Sequence, residues 1–340
     1  MNGHRSSSRG VGFATNARGC CRKGVWRSAA SRTRVRIVGI CTRWATVQTE
    51  PTWTRLEARG EFDFGLTASV IARLPAHNGV DCFDETNQTL RRALHTANGA
   101  RVVTARASKG GLEIDDDSPE ARAWAIRAFG LELDPAAFYA VCADDPALSK
   151  AAVALVGLRP PLMDFWEAWV ATILGQQITL AFCLQQITAV SRRYGGEADG
   201  ELPDGTPHKY PLHPSPEQIL NADEAGLLEC KVSRRKTEYL KTVAQALIDG
   251  YFDGVFERDV NEVLEHLTAL RGIGLWSARY WLATVGRLDF LAYGDAGLNS
   301  AYKLAYGSLD GIEAWGESLG PTRGWAYYYL IWHQKYFANR

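Results

Sequence analysis

The stretch Leu267-Thr268-Ala269-Leu270-Arg271-Gly272-Ile273-Gly274-Leu275-Trp276-Ser277-Ala278-Arg279-Tyr280 constrains this chain more than any other. One helical period ends at Leu270 and another begins near Leu275, so two helices meet across a turn of very few residues. Gly-Ile-Gly suits such a turn, because glycine enters left-handed backbone conformations and lets a second molecule approach the main chain. The N–H groups of the turn and of the next helix's first residues then point outward together. That is an anion site of the kind that suits a DNA phosphate. Ile273 would tuck between the helices as a plug. The same residues would also serve an ordinary helix–turn–helix connection with no ligand.

Twenty-one residues past Gly274 stands Asp295, within Leu291-Ala292-Tyr293-Gly294-Asp295-Ala296-Gly297-Leu298. An Asp after Gly and before an apolar run is a natural helix N-cap. It is also a carboxylate at the end of a short loop, available for chemistry.

The rest of the chain gives these motifs a frame. Its 340 residues allow two domains and a short extension. From about residue 60 to 118 the signals are those of strands with one helix. Glu61-Phe62-Asp63-Phe64-Gly65-Leu66 alternates polar and apolar, and Arg101–Ala107 does so less cleanly after an Asn98-Gly99 turn. Lys109-Gly110-Gly111 marks a hairpin into Leu112-Glu113-Ile114. From about residue 119 the period is helical. Phe165, Trp166, Trp169, Val170, Ile173 and Leu174 share a face, with Asp164 as cap and Glu167 at the capping-box position. Gly175-Gln176-Gln177 breaks that helix and Thr179 caps the next. Residues 195–216 are rich in Gly, Pro and Asp and read as a loop, and Tyr239–Leu247 forms a helix stopped by Gly250. The class is α+β: a basic, disordered extension over 1–58, a small N-terminal antiparallel sheet domain over 59–118, and a helical domain over 119–340.

Charge is unevenly spread. Residues 1–60 hold 12 Arg and Lys against 2 Asp and Glu, whereas the remaining 280 hold 26 against 36. A neutral whole therefore says nothing about partners, and any DNA-binding face on the acidic body must be a local patch. The segment 1–49 carries ten basic residues and no acidic one. It suits a transit peptide, a basic tail that touches DNA, or an upstream stretch translated from a misassigned start. No window approaches 18 consecutive apolar residues and no export signal is visible, so neither a membrane span nor a membrane partner is expected. The seven Cys, at 20, 21, 41, 82, 142, 183 and 230, show no C-x-x-C pair. They read as reduced thiols, with no zinc or iron–sulfur site.

The hairpin and the Asp295 loop together resemble the helix-hairpin-helix (HhH-GPD) DNA glycosylase superfamily, in which a loop after the hairpin ends in the catalytic Asp. Three further stretches carry the likeness toward its DNA-3-methyladenine glycosylase II branch. Ile173-Leu174-Gly175-Gln176-Gln177-Ile178-Thr179 is similar to the loop that enters the DNA minor groove. Ser233-Arg234-Arg235-Lys236 and its helix are similar to the segment before the hairpin. Phe138–Pro146 with Gly157-Leu158-Arg159-Pro160-Pro161 is similar to the linker region. The similarity runs from about Phe62 to Tyr336. Three departures stand out: Ala292 where the family often has Pro, Glu229–Ser233 where a Gly is usual, and Ala296 where some relatives place an aromatic.

The resemblance implies a two-lobed helical domain and an enzyme acting on double-stranded DNA that contains damaged bases. Asp295 would be the catalytic carboxylate, and Gln176, Gln177, Ile178, Gly272, Ile273, Gly274 and Ser277 the DNA contacts, with Gln177 beside Ile178 as the wedge. Trp276 and Tyr280, four apart on one helical face, would wall a pocket for a cationic alkylated purine, with Tyr327, Tyr328 and Trp332 near the C-terminus as further, weaker candidates for the same wall. Each has a plainer role open to it: core aromatics, a helix end for Gln177, an N-cap for Asp295. Bifunctional members carry a Lys two residues after the last hairpin glycine. Here that residue is Trp276, and Lys241 and Lys303 read as solvated surface, so a monofunctional enzyme is implied. No cofactor and no metal are implied. A monomer is expected, cytoplasmic and nucleoid-associated if bacterial. The competing reading is a non-catalytic helix-hairpin-helix DNA-binding protein, which would keep the glycines but need neither Asp295 nor the Gln-Gln loop.

Overall fold

The computed structural model describes residues 52–74 and 80–334. All the structure below belongs to the unit Trp53–Arg340. The basic stretch, with its three possible roles, lies outside the described residues, as do Cys20, Cys21 and Cys41.

The first layer is a five-stranded antiparallel sheet with one helix before its second strand. Its elements are β1 (Thr54–Glu57), α1 (Phe64–Ile71), β2 (Cys82–Asp84), β3 (Thr89–Thr96), β4 (Gly99–Ser108) and β5 (Gly111–Ile114), in the spatial order β1-β5-β4-β3-β2. The two turns expected at Asn98-Gly99 and Lys109-Gly110 close the β3–β4 and β4–β5 hairpins. Two expectations need correction. Strand β1 falls inside the stretch expected to be an extension, paired with β5 from Thr54 opposite Ile114 to Glu57 opposite Gly111. And Glu61–Leu66 is not a strand: Asp63 caps α1 by accepting from Leu66 N at 2.8 Å. Phe64, Thr67, Ala68 and Ile71 then fall on one buried helical face.

The helices follow as α2 (Pro119–Ala128), α3 (Ala136–Cys142), α4 (Pro146–Ala154), α5 (Phe165–Gly175) and α6 (Leu180–Val190). A β-hairpin, β6 (Glu197–Glu201) and β7 (Pro207–Pro211), then interrupts them. It replaces the loop expected over 195–216, and it seals the sheet's second face through Ala198, Tyr210 and Leu212 against Ala93 and Val102. The chain continues through α7 (Pro216–Leu220), α8 (Glu224–Glu229), α9 (Arg234–Ile248), α10 (Val260–Thr268), α11 (Leu275–Val285), α12 (Ala296–Tyr306), α13 (Ile312–Ser318) and α14 (Arg323–Trp332). Among the described residues no helix is long and apolar enough to cross a membrane.

Three cores organise these elements. The sheet packs α1 and α2 against its inner face around Leu90, Val103, Leu112 and Phe129. A first helical lobe gathers α5, α6 and α7 to α11, and a second gathers α3, α4, α12 and α14. The helical domain is thus two-lobed. In the first lobe Trp169 of α5 and Trp281 of α11 stack at 4.7 Å, both fully buried. Such a pair contributes about 1 kcal/mol beyond its area, and it gives α11 a rigid seat. Asp164 caps α5 as expected. Glu167, however, is turned from the capping box to a close ion pair with buried Arg92, which also meets Asp81 at 3.4 Å. The sheet is thereby bound to the first residues of α5.

Candidate active site

The hairpin glycines play different parts. Gly272 has φ +90, and a Cβ there would lie 2.2 Å from the Tyr239 ring. Only glycine fits. Gly274 has ordinary φ of −87, and a Cβ there would meet nothing within 4 Å. It is the N-cap of α11 and supplies no capping side chain, so the first N–H groups of that helix open onto free space. Ile273 between them is 4% exposed and packed in the first lobe's core, the plug the sequence suggests.

Around this turn lies an open cleft of about 440 Å³. Gln176, Gln177, Gly272, Gly274, Trp276 and Ser277 all contribute to its wall. Four residues not singled out by role in the sequence also reach it: Ser233, Arg235, Lys236 and Tyr239. Gln177 is exposed, at a left-handed φ of +56 that costs a non-glycine residue about 1 kcal/mol or more. Ile178 beside it is half-buried and packs on the first lobe's core. Two expected DNA contacts in that wall also bond within the protein. Gln176 Nε2 donates to Gly272 O and to Ser277 Oγ, both at 3.0 Å, and Ser277 is only 3% exposed. Their side chains join protein to protein.

The aromatic wall also differs from expectation. Trp276 and Tyr280 stack on each other at 5.3 Å and 13°. They form one wall two rings thick, with half-exposed Trp276 outermost. Tyr280 lies one turn deeper, where burial, and next the charge of Asp295, raise its phenol pKa far above the usual value. Trp332 is not part of this wall: it is buried in the second lobe's core, on a different face of α14 from Tyr327. Of the three C-terminal aromatics expected there, Tyr327 reaches Asp295. Its hydroxyl donates to Asp295 Oδ1 at 3.4 Å, and burial, then Asp295, push its pKa well up, so it remains a proton donor.

Asp295 itself is 8% exposed at the junction of the two lobes. The backbone delivers it through a turn at Gly294, φ +87, and its own N–H donates to Ala292 O at 3.0 Å. Ala292 is buried in the first lobe, and Arg279 of α11 donates to Tyr293 O at 3.1 Å, so packing and one guanidinium hold a loop in which relatives often use Pro. Asp295 does cap α12, with Oδ1 accepting from Leu298 N at 2.9 Å. Both hydrogen bonds to the carboxylate fall on Oδ1, which leaves Oδ2 unengaged among the described residues. Asp289, the nearest other carboxylate in the loop, is committed: Arg287 donates to both of its oxygens, at 3.0 and 3.1 Å, and that bonding lowers its pKa.

Residues 170–312, spanning hairpin and loop, match the family model described as HhH-GPD superfamily base excision DNA repair protein. It is 30% identical over 157 residues to a DNA-3-methyladenine glycosylase of Bacillus subtilis (strain 168), a match covering 45% of this chain and 50% of that one. The chain spans about half the length of the curated relatives it matches first. Two solved structures share the fold. A 3-methyladenine DNA-glycosylase from Archaeoglobus fulgidus aligns with a TM-score of 0.68 at 23% identity, over 84% of this chain and 99% of the other. A Clostridium acetobutylicum 8-oxoguanine glycosylase/lyase, in complex with double-stranded DNA, aligns at 0.62 and 18% identity, over 82% and 97%.

Proposed function

We propose that this chain is a monofunctional DNA glycosylase of base excision repair that flips out alkylated bases of the 3-methyladenine and 7-methylguanine kind and hydrolyses their N-glycosidic bond. The observation that carries this reading is Asp295: a nearly buried carboxylate with one oxygen fixed and the other unengaged, beside the Trp276–Tyr280 wall. The Bacillus subtilis relative, named a DNA-3-methyladenine glycosylase, is in keeping with the alkylated-base part of it.

A base inside a duplex is out of reach of such a carboxylate, so the nucleotide must leave the stack, at a cost of a few kcal/mol that is smallest for damaged bases. The uncapped N-terminus of α11 at Gly274 would hold a phosphate without regard to sequence. Gln177, with Ile178 behind it, would fill the vacated stack. Cleavage of the C–N bond develops positive charge on the sugar, as in glycoside hydrolysis. Asp295 Oδ2 would stabilise that charge and orient water, while Leu298 N–H and the Tyr327 hydroxyl hold Oδ1. An alkylated purine is already cationic and leaves readily. Stacking on the outer face of Trp276 adds about 0.5–2 kcal/mol of cation–π attraction.

Strand cleavage needs an amine at the sugar C1′. The residue where relatives carry Lys is Trp276. Lys241, read as solvated from sequence, instead donates to Leu220 O and Ala222 O, at 3.0 and 2.6 Å. No borohydride-trapped adduct is expected, and Trp276→Lys should weaken excision without creating efficient lyase activity. The test is release of modified bases from methylated duplex DNA by the purified protein, identified by mass spectrometry. Release of 3-methyladenine or 7-methylguanine with an intact abasic strand supports the reading. Tight DNA binding with no base release would instead favour a non-catalytic helix-hairpin-helix protein.

A further inference from the structure

The tip that carries Gln177 is a short loop, and a short loop in a left-handed conformation holds one shape only if its flanks are tied down. Two side chains do this from opposite sides. On one side, Lys236 in the first turn of α9 donates from Nζ to Leu174 O at 2.6 Å. That carbonyl belongs to the last turn of α5, where a cation also meets the negative end of the helix dipole. Burial depresses the Lys236 pKa, and the Cys183 thiol beside it, itself pushed up to about 11 by burial, remains neutral and donates to Ala171 O at 3.8 Å. On the other side, Gln176 Nε2 donates to Gly272 O and Ser277 Oγ, which frame the hairpin turn. The loop tip is therefore strung between α9 and the hairpin, and Tyr239, one turn along α9 from Lys236, packs over Gly272.

We infer that Lys236 and Gln176 are positioning residues that make the phosphate-holding hairpin and the Gln177 tip a single rigid unit, so that capture of the phosphate and presentation of the wedge occur together. Neither side chain is needed to touch DNA for this. The inference rests on the glycosylase reading, and it assigns to Gln176 a role different from direct DNA contact.

The test uses the full chain and three variants, Lys236→Met, Lys236→Arg and Gln176→Ala, each checked for native circular dichroism and melting. Three quantities are read for each: affinity for undamaged duplex, extrusion of 2-aminopurine placed opposite an abasic-site analogue, followed by fluorescence, and single-turnover base release from methylated DNA. Lys236→Met and Gln176→Ala should retain duplex affinity within about twofold while extrusion and release fall by about tenfold or more, the scale of a small misplacement near a reacting centre. Lys236→Arg, which restores a donor and a cation, should recover most of the loss. Wild-type extrusion and release in Lys236→Met and Gln176→Ala would overturn the inference. So would loss of duplex affinity in proportion to the loss of release, which would make both residues plain DNA contacts. If Lys236→Met does not fold, Gln176→Ala decides alone. Absence of base release from the wild-type protein would strike the glycosylase reading instead, and the extrusion signal would still test the coupling.

Discussion

The two ends of helix α11 are finished in opposite ways. At its N-terminus the chain supplies Gly274, which has no side chain to cap the helix and nothing within 4 Å of where a Cβ would sit. At its C-terminus nearly every group is engaged. Gly286, φ +110, ends the helix, and Arg287, 6% exposed, donates to Val255 O, Arg258 O and both oxygens of Asp289. Polar groups left open in a folded chain demand a partner, because an unmet donor is costly once water is excluded. The saturated end is therefore architecture, whereas the donors at the open end remain available to water or, in the proposed reading, to a phosphate. The same contrast separates Asp289, bound twice by Arg287, from Asp295, whose Oδ2 is unengaged.

The comparison can be broken at several points. The largest effect is expected from Gly272→Ala. A Cβ there collides with the Tyr239 ring at a backbone angle that disfavours L side chains, so the cost should reach about 3 kcal/mol, read as a fall in the melting midpoint with DNA binding lost as a consequence. Arg287→Met comes next. It strips the saturated end of its donors and should cost about 2 kcal/mol of stability, while base release per folded molecule changes little. A large loss of release with unchanged stability would show that this end also serves chemistry. Gly274→Asp is expected to be smaller and of another kind. Its Cβ has room, so the fold should persist, but its charge opposes a phosphate. Affinity should fall by about tenfold for every duplex sequence, and unchanged affinity with normal circular dichroism would remove the phosphate from this turn.

The hairpin, the helix boundaries around it and the cap at Asp295 are legible in the sequence because they depend on local chemistry: glycines where φ is positive, an Asp before an apolar run. Ile273 as a plug follows from its place between two glycines. Most of what the sequence does not show depends on contacts distant in it; α1 is the local exception. The alternation in Glu61–Leu66 is only six residues long, and one hydrogen bond that the Asp63 carboxylate accepts from Leu66 N is enough to start α1 within it. The prolines that suggested a loop over 195–216 include Pro207 and Pro211, which sit at the two ends of β7 in a sheet of only two strands, where a missing N–H is tolerated. Trp332 and Tyr327 are equally aromatic and share a helix. Which of them faces Asp295 is set by how α14 rotates against the first lobe, and no local signal records that. Gln176 reads from sequence as a DNA contact, and its bond to the hairpin, nearly a hundred residues away, leaves no local signal.

The central claim is that Asp295, and not its bound neighbour Asp289, performs the chemistry. It is tested most directly by single-turnover base release from methylated duplex DNA, measured side by side for the wild-type protein, Asp295→Asn and Asp289→Asn, each verified as folded. Removing one such electrostatic stabiliser typically costs about 3–4 kcal/mol of barrier. Release by Asp295→Asn should therefore fall by about a hundredfold to a thousandfold while binding to an abasic-site analogue persists. Asp289→Asn should keep its rate within a few-fold and lose only stability. Near-normal release by Asp295→Asn together with loss in Asp289→Asn would contradict the assignment.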